Sequence, residues 1–156
     1  SAMDGINAMN DQRELARVRA MIDQDEVTTV DWVPTLQGST VAGANTYGAR
    51  SGVYTIRGGL CFCTFELTLT AVDPEMSGYC FVDLPVMNGI NQVVVGQIGV
   101  RDGVTLTGGA AGVYGELFPI GTRLVLRQDA APQINVERAN LAAGAHIRGT
   151  IVYPVA

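Results

Sequence analysis

The sequence predicts an all-β chain: an antiparallel β-sandwich or jelly-roll-like head, preceded by a short N-terminal α-helical coiled-coil stalk. Three observations carry this. From about residue 30 onward, apolar and polar residues alternate at period two in segments rich in Val, Thr and Ile. Gly-containing turns separate those segments at the roughly 8–12-residue spacing of sandwiches and barrels. Residues 5–26 alone keep the three-to-four spacing of a helix. The chain of 156 residues divides on this basis into a stalk, 5–26, and a head, 30–156. Ser1-Ala2-Met3 reads as a cloning remainder and is set aside.

The stalk segment holds helix formers, no Pro, and no Gly after Gly5. Placing Leu15 and Ile22 at heptad position a puts Val18 at d, Glu14 at g and Arg19 at e. In a parallel coiled coil a g residue meets the next e residue of its neighbour, so Glu14 can pair with Arg19 of another copy. Leu15, Val18 and Ile22 are therefore the candidate trimerisation seam. Extending the frame brings Ala8, Asp11 and Asp25 to core positions. That leaves about one good heptad, where a firm assignment takes about 3–4. A single amphipathic helix packed on its own domain is the competing reading.

In the head, the clearest strand is 60–71, "LCFCTFELTLTA". Cys61, Cys63, Phe65, Leu67, Leu69 and Ala71 share one face, and the mostly polar Leu60, Phe62, Thr64, Glu66, Thr68 and Thr70 the other. Such a strand is half buried, as in an antiparallel sheet. Further strands are predicted near 31–36, 52–57, 79–84, 92–101, 104–107, 113–117, 122–127 and 145–153. Gly58-Gly59, Asp102-Gly103, Gly108-Gly109 and Pro119-Ile120-Gly121 mark turns, Asp102-Gly103 being the strongest hairpin signal. The longest connection is 128–144, with a single helical turn at "NLAAGA". Counting strands in alternation puts loops 38–51, 72–78, 102–103 and 118–121 at the end far from the stalk. Loops 85–91, 108–112 and 128–144 then lie near it.

Composition narrows the function. The formal net charge is −5, and all ten basic residues are Arg, with no basic stripe, so nucleic acid is excluded as a partner. Charged residues make up 16 %, against a typical ~25 %, as on a surface partly covered by another chain. No secretory signal and no apolar run of about 18 residues is present, which argues against membrane insertion. Cys61, Cys63 and Cys80 are odd in number. The first two stand roughly 6.6 Å apart along one strand, beyond comfortable bridging. They read as buried free thiols.

No catalytic set emerges, and the chain reads as a non-enzyme with no cofactor and no metal. The one His, His146, shares a strand face with Arg148, Thr150 and Val152, opposite Ile147, Ile151 and Tyr153. It reads as facing outward or toward an interface; three copies around an axis would be needed to hold a metal or anion. "GGAAG" lacks the Lys of a phosphate loop. What remains is surface. The far-end loops carry Thr40, Asn45, Asp73, Glu75, Tyr79, Arg101 and Asp102. Amides, carboxylates and Arg make paired hydrogen bonds to sugar hydroxyls, and an exposed Tyr stacks on a sugar's apolar face. These seven are the candidate receptor-binding residues.

Ordered motifs support that reading. "WVPTLQGSTVAGANTY" followed by "GVYTIRGGLCFCTFELTL" resembles the C-terminal head domain of phage and prophage tail fibres. Trp32, Pro34 and Thr35 match its opening, Thr46 and Tyr47 the end of its Gly-rich stretch, and Gly52, Tyr54 and Gly59 the strand and turn that follow. "VDLP" (82–85) and "NLAAGAHIRGTIVY" (140–153) resemble its later segments. The resemblance covers about 30–156. It implies a homotrimeric head at the tip of a virion fibre, outside the cell, binding a host-surface glycan or protein. Other fibre or virion proteins would join through the stalk. A structural trimerisation or capping module of a tail or capsid fibre, with no ligand of its own, is the alternative.

Overall fold

The computed structural model describes residues 11–20 and 27–156. Residues 11–20 form a helix, α1. Ten strands follow: β1 (Thr28–Trp32), β2 (Leu36–Gly38), β3 (Thr46–Arg57), β4 (Leu60–Ala71), β5 (Cys80–Asp83), β6 (Val94–Arg101), β7 (Val113–Leu117), β8 (Arg123–Gln128), β9 (Ile134–Asn135) and β10 (His146–Pro154). A 3-10 turn at Arg138–Asn140 precedes the last strand. It stands just before the helical turn expected at "NLAAGA".

Leu15 and Val18 are exposed on α1, as is every residue of 11–20, and Glu14 pairs with Arg17 of the same helix at 2.8 Å. Ile22 and both ends of the predicted 5–26 stalk lie outside the described residues.

The antiparallel expectation holds, but the strands do not divide into the two separate sheets of a sandwich. They form one sheet in the order β1-β3-β4-β10-β6-β7-β8-β5-β2, with β9 beside β8. The sheet curls into a half-barrel, so that its inward faces meet in one core. The end strands β1 and β2 are joined by Val33-Pro34-Thr35 alone. Across the seam, the Tyr47 hydroxyl of β3 accepts from Leu36 N–H of β2 at 2.9 Å and donates to Leu36 C=O at 3.3 Å. Tyr47 thus satisfies both backbone groups of a residue that a full barrel would have paired with a strand.

The period-two reading of β4 is correct in bounds and facing. Cys61, Cys63, Phe65, Leu67 and Leu69 are buried, and Phe62, Thr64 and Glu66 are exposed. Ala71 is exposed because it ends the strand. Phe65 stands between Gly52 of β3 and Gly149 of β10. A Cβ on Gly149 would lie 2.5 Å from the Phe65 ring, and one on Gly52 would lie 2.5 Å from the Trp32 indole. The two glycines leave the depth the rings fill, and the rings meet edge to face with centroids 6.0 Å apart. Trp32 Nε1 is buried without a hydrogen bond of good geometry; the Cys63 thiol is the polar group its N–H still acts on. Tyr153, fully buried on β10, donates to Val86 C=O at 2.7 Å and ties the last strand to the loop after β5.

One predicted strand is absent, and its loss reorders the loops. Asp102 and Gly103 take the positive φ values, 46° and 58°, of a tight turn. Beyond them residues 104–107 do not return along β6. Val104 bridges Leu141, Thr105 N–H donates to Asn140 C=O at 2.8 Å, and the Asn140 side chain donates to Thr105 C=O at 2.8 Å. Thr107 N–H donates to the side-chain oxygen of Gln128 at 2.7 Å. Two buried amides, Asn140 and Gln128, therefore supply part of what a neighbouring strand would have supplied. The place beside β6 belongs to β10. With one strand fewer, the alternation shifts: 118–121 lies at the end where the chain enters, with 58–59 and 85–91, and 108–112 and 128–144 lie at the far end. Contacts of Asn88 with Gly121 and of Gly89 with Pro154 fix the near-end grouping.

All three thiols are free and buried. Burial pushes Cys63 and Cys80 up to about 12, with Cys61 adding to the effect at Cys63 and Glu137 at Cys80. Because the folded chain keeps its protons to higher pH than the unfolded chain, the thiol contribution to stability is full below the ordinary thiol value of 9.0 and is lost as pH rises toward 12. Urea unfolding free energies are expected to fall between pH 9 and 11, by up to about 1.4 kcal/mol per pH unit for each of the two thiols. A thiol reagent at pH 8 should label none of the three until denaturant is added. Labelling of the native chain would show that the core opens.

Candidate functional site

The structure gathers most of the sequence-predicted receptor residues into one pair of stitched loops at the far end. Asn45 donates to Leu36 C=O at 3.0 Å and to Met76 Sδ at 3.3 Å, and its Oδ1 accepts from Asp73 N–H at 2.8 Å. The Asp73 carboxylate accepts from Glu75 N–H at 2.9 Å and Ala44 N–H at 2.7 Å. Those two backbone donors hold its pKa below the ordinary carboxylate value. Thr40 N–H donates to Ser77 C=O at 3.0 Å, and Tyr79 N–H donates to Ser39 Oγ at 3.0 Å. Asn45 thus bonds inward to Leu36 and Met76, while Asp73 ties the loop backbone together at the surface. Thr40 and Glu75 are exposed, and Tyr79 leans on Phe81 with ring centroids 6.2 Å apart. Arg101 and Asp102 sit at the same end on another strand, both exposed, with Nε and Oδ2 4.0 Å apart.

A second cluster lies where sequence reasoning did not place one. On the outer face of β3, β4, β10, β6 and β7, a groove of about 770 Å³ opens to solvent. Strand register sets its rows. Val53, Thr64, Thr150, Gln97 and Tyr114 stand side by side across the five strands. The next row is Ser51, Glu66, Arg148 and Gly99. Beyond it come Thr68, His146 and Arg101.

In this outer face the charges are arranged unevenly. Glu66 and Arg148 are directly opposite, yet Glu66 Oε1 lies 2.5 Å from His146 Nε2, one row further on. His146 is on the face the sequence predicted but is buried, not outward, with the Glu66 carboxylate against its ring. Arg148 makes no hydrogen bond or ion pair among the described residues. It lies over Gly99, where a Cβ would come 3.1 Å from Arg148 Nε. At the β7 rim, Tyr114 has a raised pKa, through burial first and then the nearby Glu116 carboxylate. Glu116 is held by Arg127 at 3.4 Å and accepts from Gln133 at 2.7 Å, and Arg127 donates to Asn135 at 2.8 Å. That rim is fixed, while Gln97, Thr150 and Arg148 make no side-chain hydrogen bond among the described residues. Among the described residues no group of three metal-ligating side chains forms, and no helix is long and apolar enough to cross a membrane.

No protein-family model matches the chain, and no curated protein does. Among solved structures it is similar to the Dettilon tailspike protein (gp208), with a TM-score of 0.63 and 14 % identity over 80 % of this chain. The match covers 23 % of that protein, so the chain spans about a quarter of its length. At that identity the likeness is one of fold. This is a curled antiparallel β unit of a kind that occurs within a tailspike.

Asn45→Ala would leave the Asp73 N–H without its side-chain acceptor and remove one of the two donors to Leu36 C=O, the Tyr47 hydroxyl remaining. The expected cost is about 1–3 kcal/mol, read from the urea midpoint at unchanged m-value. A loss below about 0.5 kcal/mol, the size of an ordinary surface change, would mean the two loops are not stitched through this amide.

Proposed function

We propose that this chain is the receptor-binding head of a phage tail fibre or tailspike, attaching the particle to a host-cell surface glycan without turning it over. The observation that carries the reading is a groove with unspent hydrogen-bonding groups on a fold shared with a tailspike protein. Neutral hydroxyls and amides in an open groove suit a saccharide better than a buried small molecule. The exposed far-end residues Thr40, Glu75, Arg101 and Asp102, with the half-buried Tyr79, are a second contact region in the same reading.

The head acts as a homotrimer on a coiled-coil stalk, with Leu15, Val18 and Ile22 as the seam and further virion proteins joined through the stalk. Three weak sites per fibre then add up to firm attachment by avidity. One observation favours a structural trimerisation or capping role instead. Phe62, Val95 and Val152 are 43 %, 65 % and 42 % exposed on the same outer face, toward the end where the chain enters. A neighbouring copy seated there would cover part of the groove.

Light scattering is expected to give three times the 16.5 kDa chain mass, and a monomer at micromolar concentration refutes the seam. Fluorescently labelled chain is expected to adsorb to a subset of a panel of bacterial strains, and glycosidase treatment of the cells should remove the signal. Adsorption to no strain would leave the structural role as the better account.

A further inference from the structure

We infer that the outer groove takes an acidic saccharide, one carboxylate-bearing sugar flanked by neutral units, with Arg148 holding the carboxylate. This rests on the attachment reading and adds the ligand class. The chain carries a formal charge of −5, so its overall field repels anions, and an acidic ligand must be met by a local, unpaired cation. Most arginines of the head are already engaged. Arg127 is held by Glu116, Arg101 lies beside Asp102, and Arg50 and Arg123 stack on Tyr47 and Phe81. Arg148 stands in the groove with no partner among the described residues.

Two features keep it so. Glu66, its cross-strand neighbour and natural partner, is bonded to His146 instead. Gly99 supplies no side chain, which gives the arginine stem a bed on β6. A guanidinium set this way presents a fork to a carboxylate, whose two oxygens match it. One row along the strands, roughly 6.6 Å away, stand Gln97 and Thr150, a planar amide and a hydroxyl suited to sugar hydroxyls, beside Thr64, whose hydroxyl donates to Val53 C=O at 3.5 Å and still accepts. Glu66 remains a carboxylate one strand from Arg148, so a densely charged polyanion is disfavoured and a single acid group is selected.

The test compares cellobiouronic acid with cellobiose, which differ by a carboxylate in place of a hydroxymethyl group. In amide NMR titrations of the full chain, cellobiouronic acid is expected to shift Gly99, Gly149 and Thr150, and to bind about tenfold or more tightly than cellobiose, the scale of one charged hydrogen-bonded contact. Arg148→Gln is expected to erase that difference at unchanged melting temperature, since the side chain is exposed. Equal binding of the two sugars, shifts confined to the 39–45 and 72–79 loops, no carboxylate-dependent shift in the groove, or a preference that survives Arg148→Gln would each overturn the inference. The strain panel separates it from the reading beneath. If wild-type and Arg148→Gln chains adsorb equally, the acidic-sugar inference falls and attachment stands. If the wild-type chain adsorbs to no strain, attachment itself falls.

Discussion

The last strand of the chain lies in the middle of its sheet. β10 is inserted between β4 and β6, and both neighbours are antiparallel to it over most of their length. Everything that distinguishes this molecule hangs on that insertion. Gly149 on β10 gives Phe65 its space, and Phe65 in turn supports Trp32 over Gly52. Tyr153, at the other end of the same strand, pins the loop after β5. On the outer face the insertion sets His146 beside Glu66, 80 residues away in sequence, and lays Arg148 against Gly99. A sheet whose central strand pairs with β4, some 80 residues earlier, closes its core through non-local contacts, the slow kind of assembly.

The periodic strands were legible because each needs only its own alternation. The bounds of β4 and β7 coincide with the predicted 60–71 and 113–117, and β5, β8 and β10 differ by a residue or so at their ends. The missing strand at 104–107 shows where that logic stops. "VTLT" alternates as well as a true strand does, and a good turn precedes it. What keeps it out of the sheet is a pair of distant amides, Asn140 and Gln128, whose buried side chains bond its backbone. Nothing local in a sequence distinguishes a buried amide that replaces a strand from one that faces water. The same limit hid the single curled sheet, since alternation reports which side is buried and not what covers it.

The site was legible to a lesser degree. Loop composition singled out polar residues at the far end, and the strand count placed the loops there before it met the false strand, but the predicted loop 38–51 is loop only over 39–45, since 46–51 belong to β3. Composition did not show that Asn45 and Asp73 would spend their side chains on loop backbone, for that depends on which backbone donors the opposite loop offers. The groove was invisible because its members come from five strands whose order is not the order of the chain. Glu66 and Arg148 were each readable as outward-facing. Their adjacency required knowing that β10 lies beside β4.

That adjacency has an energetic consequence for the surface. Left alone, Glu66 and Arg148 would form an exposed cross-strand ion pair worth a few tenths of a kcal/mol to about 1 kcal/mol. The chain forgoes that small gain. His146 sits buried within bonding distance of the carboxylate, where leaving the imidazole unpartnered costs more than an exposed pair returns. The competition for Glu66 is therefore decided by burial: the hidden imidazole takes the acid, and the exposed guanidinium is left with water. A cation freed in this way is placed by the core as firmly as a core residue is. Its strand is fixed on both sides, its stem rests on a glycine, and its rival carboxylate is held one row away. The far-end loops are held by their own side-chain and backbone bonds, whereas the groove takes its geometry from the register of the sheet.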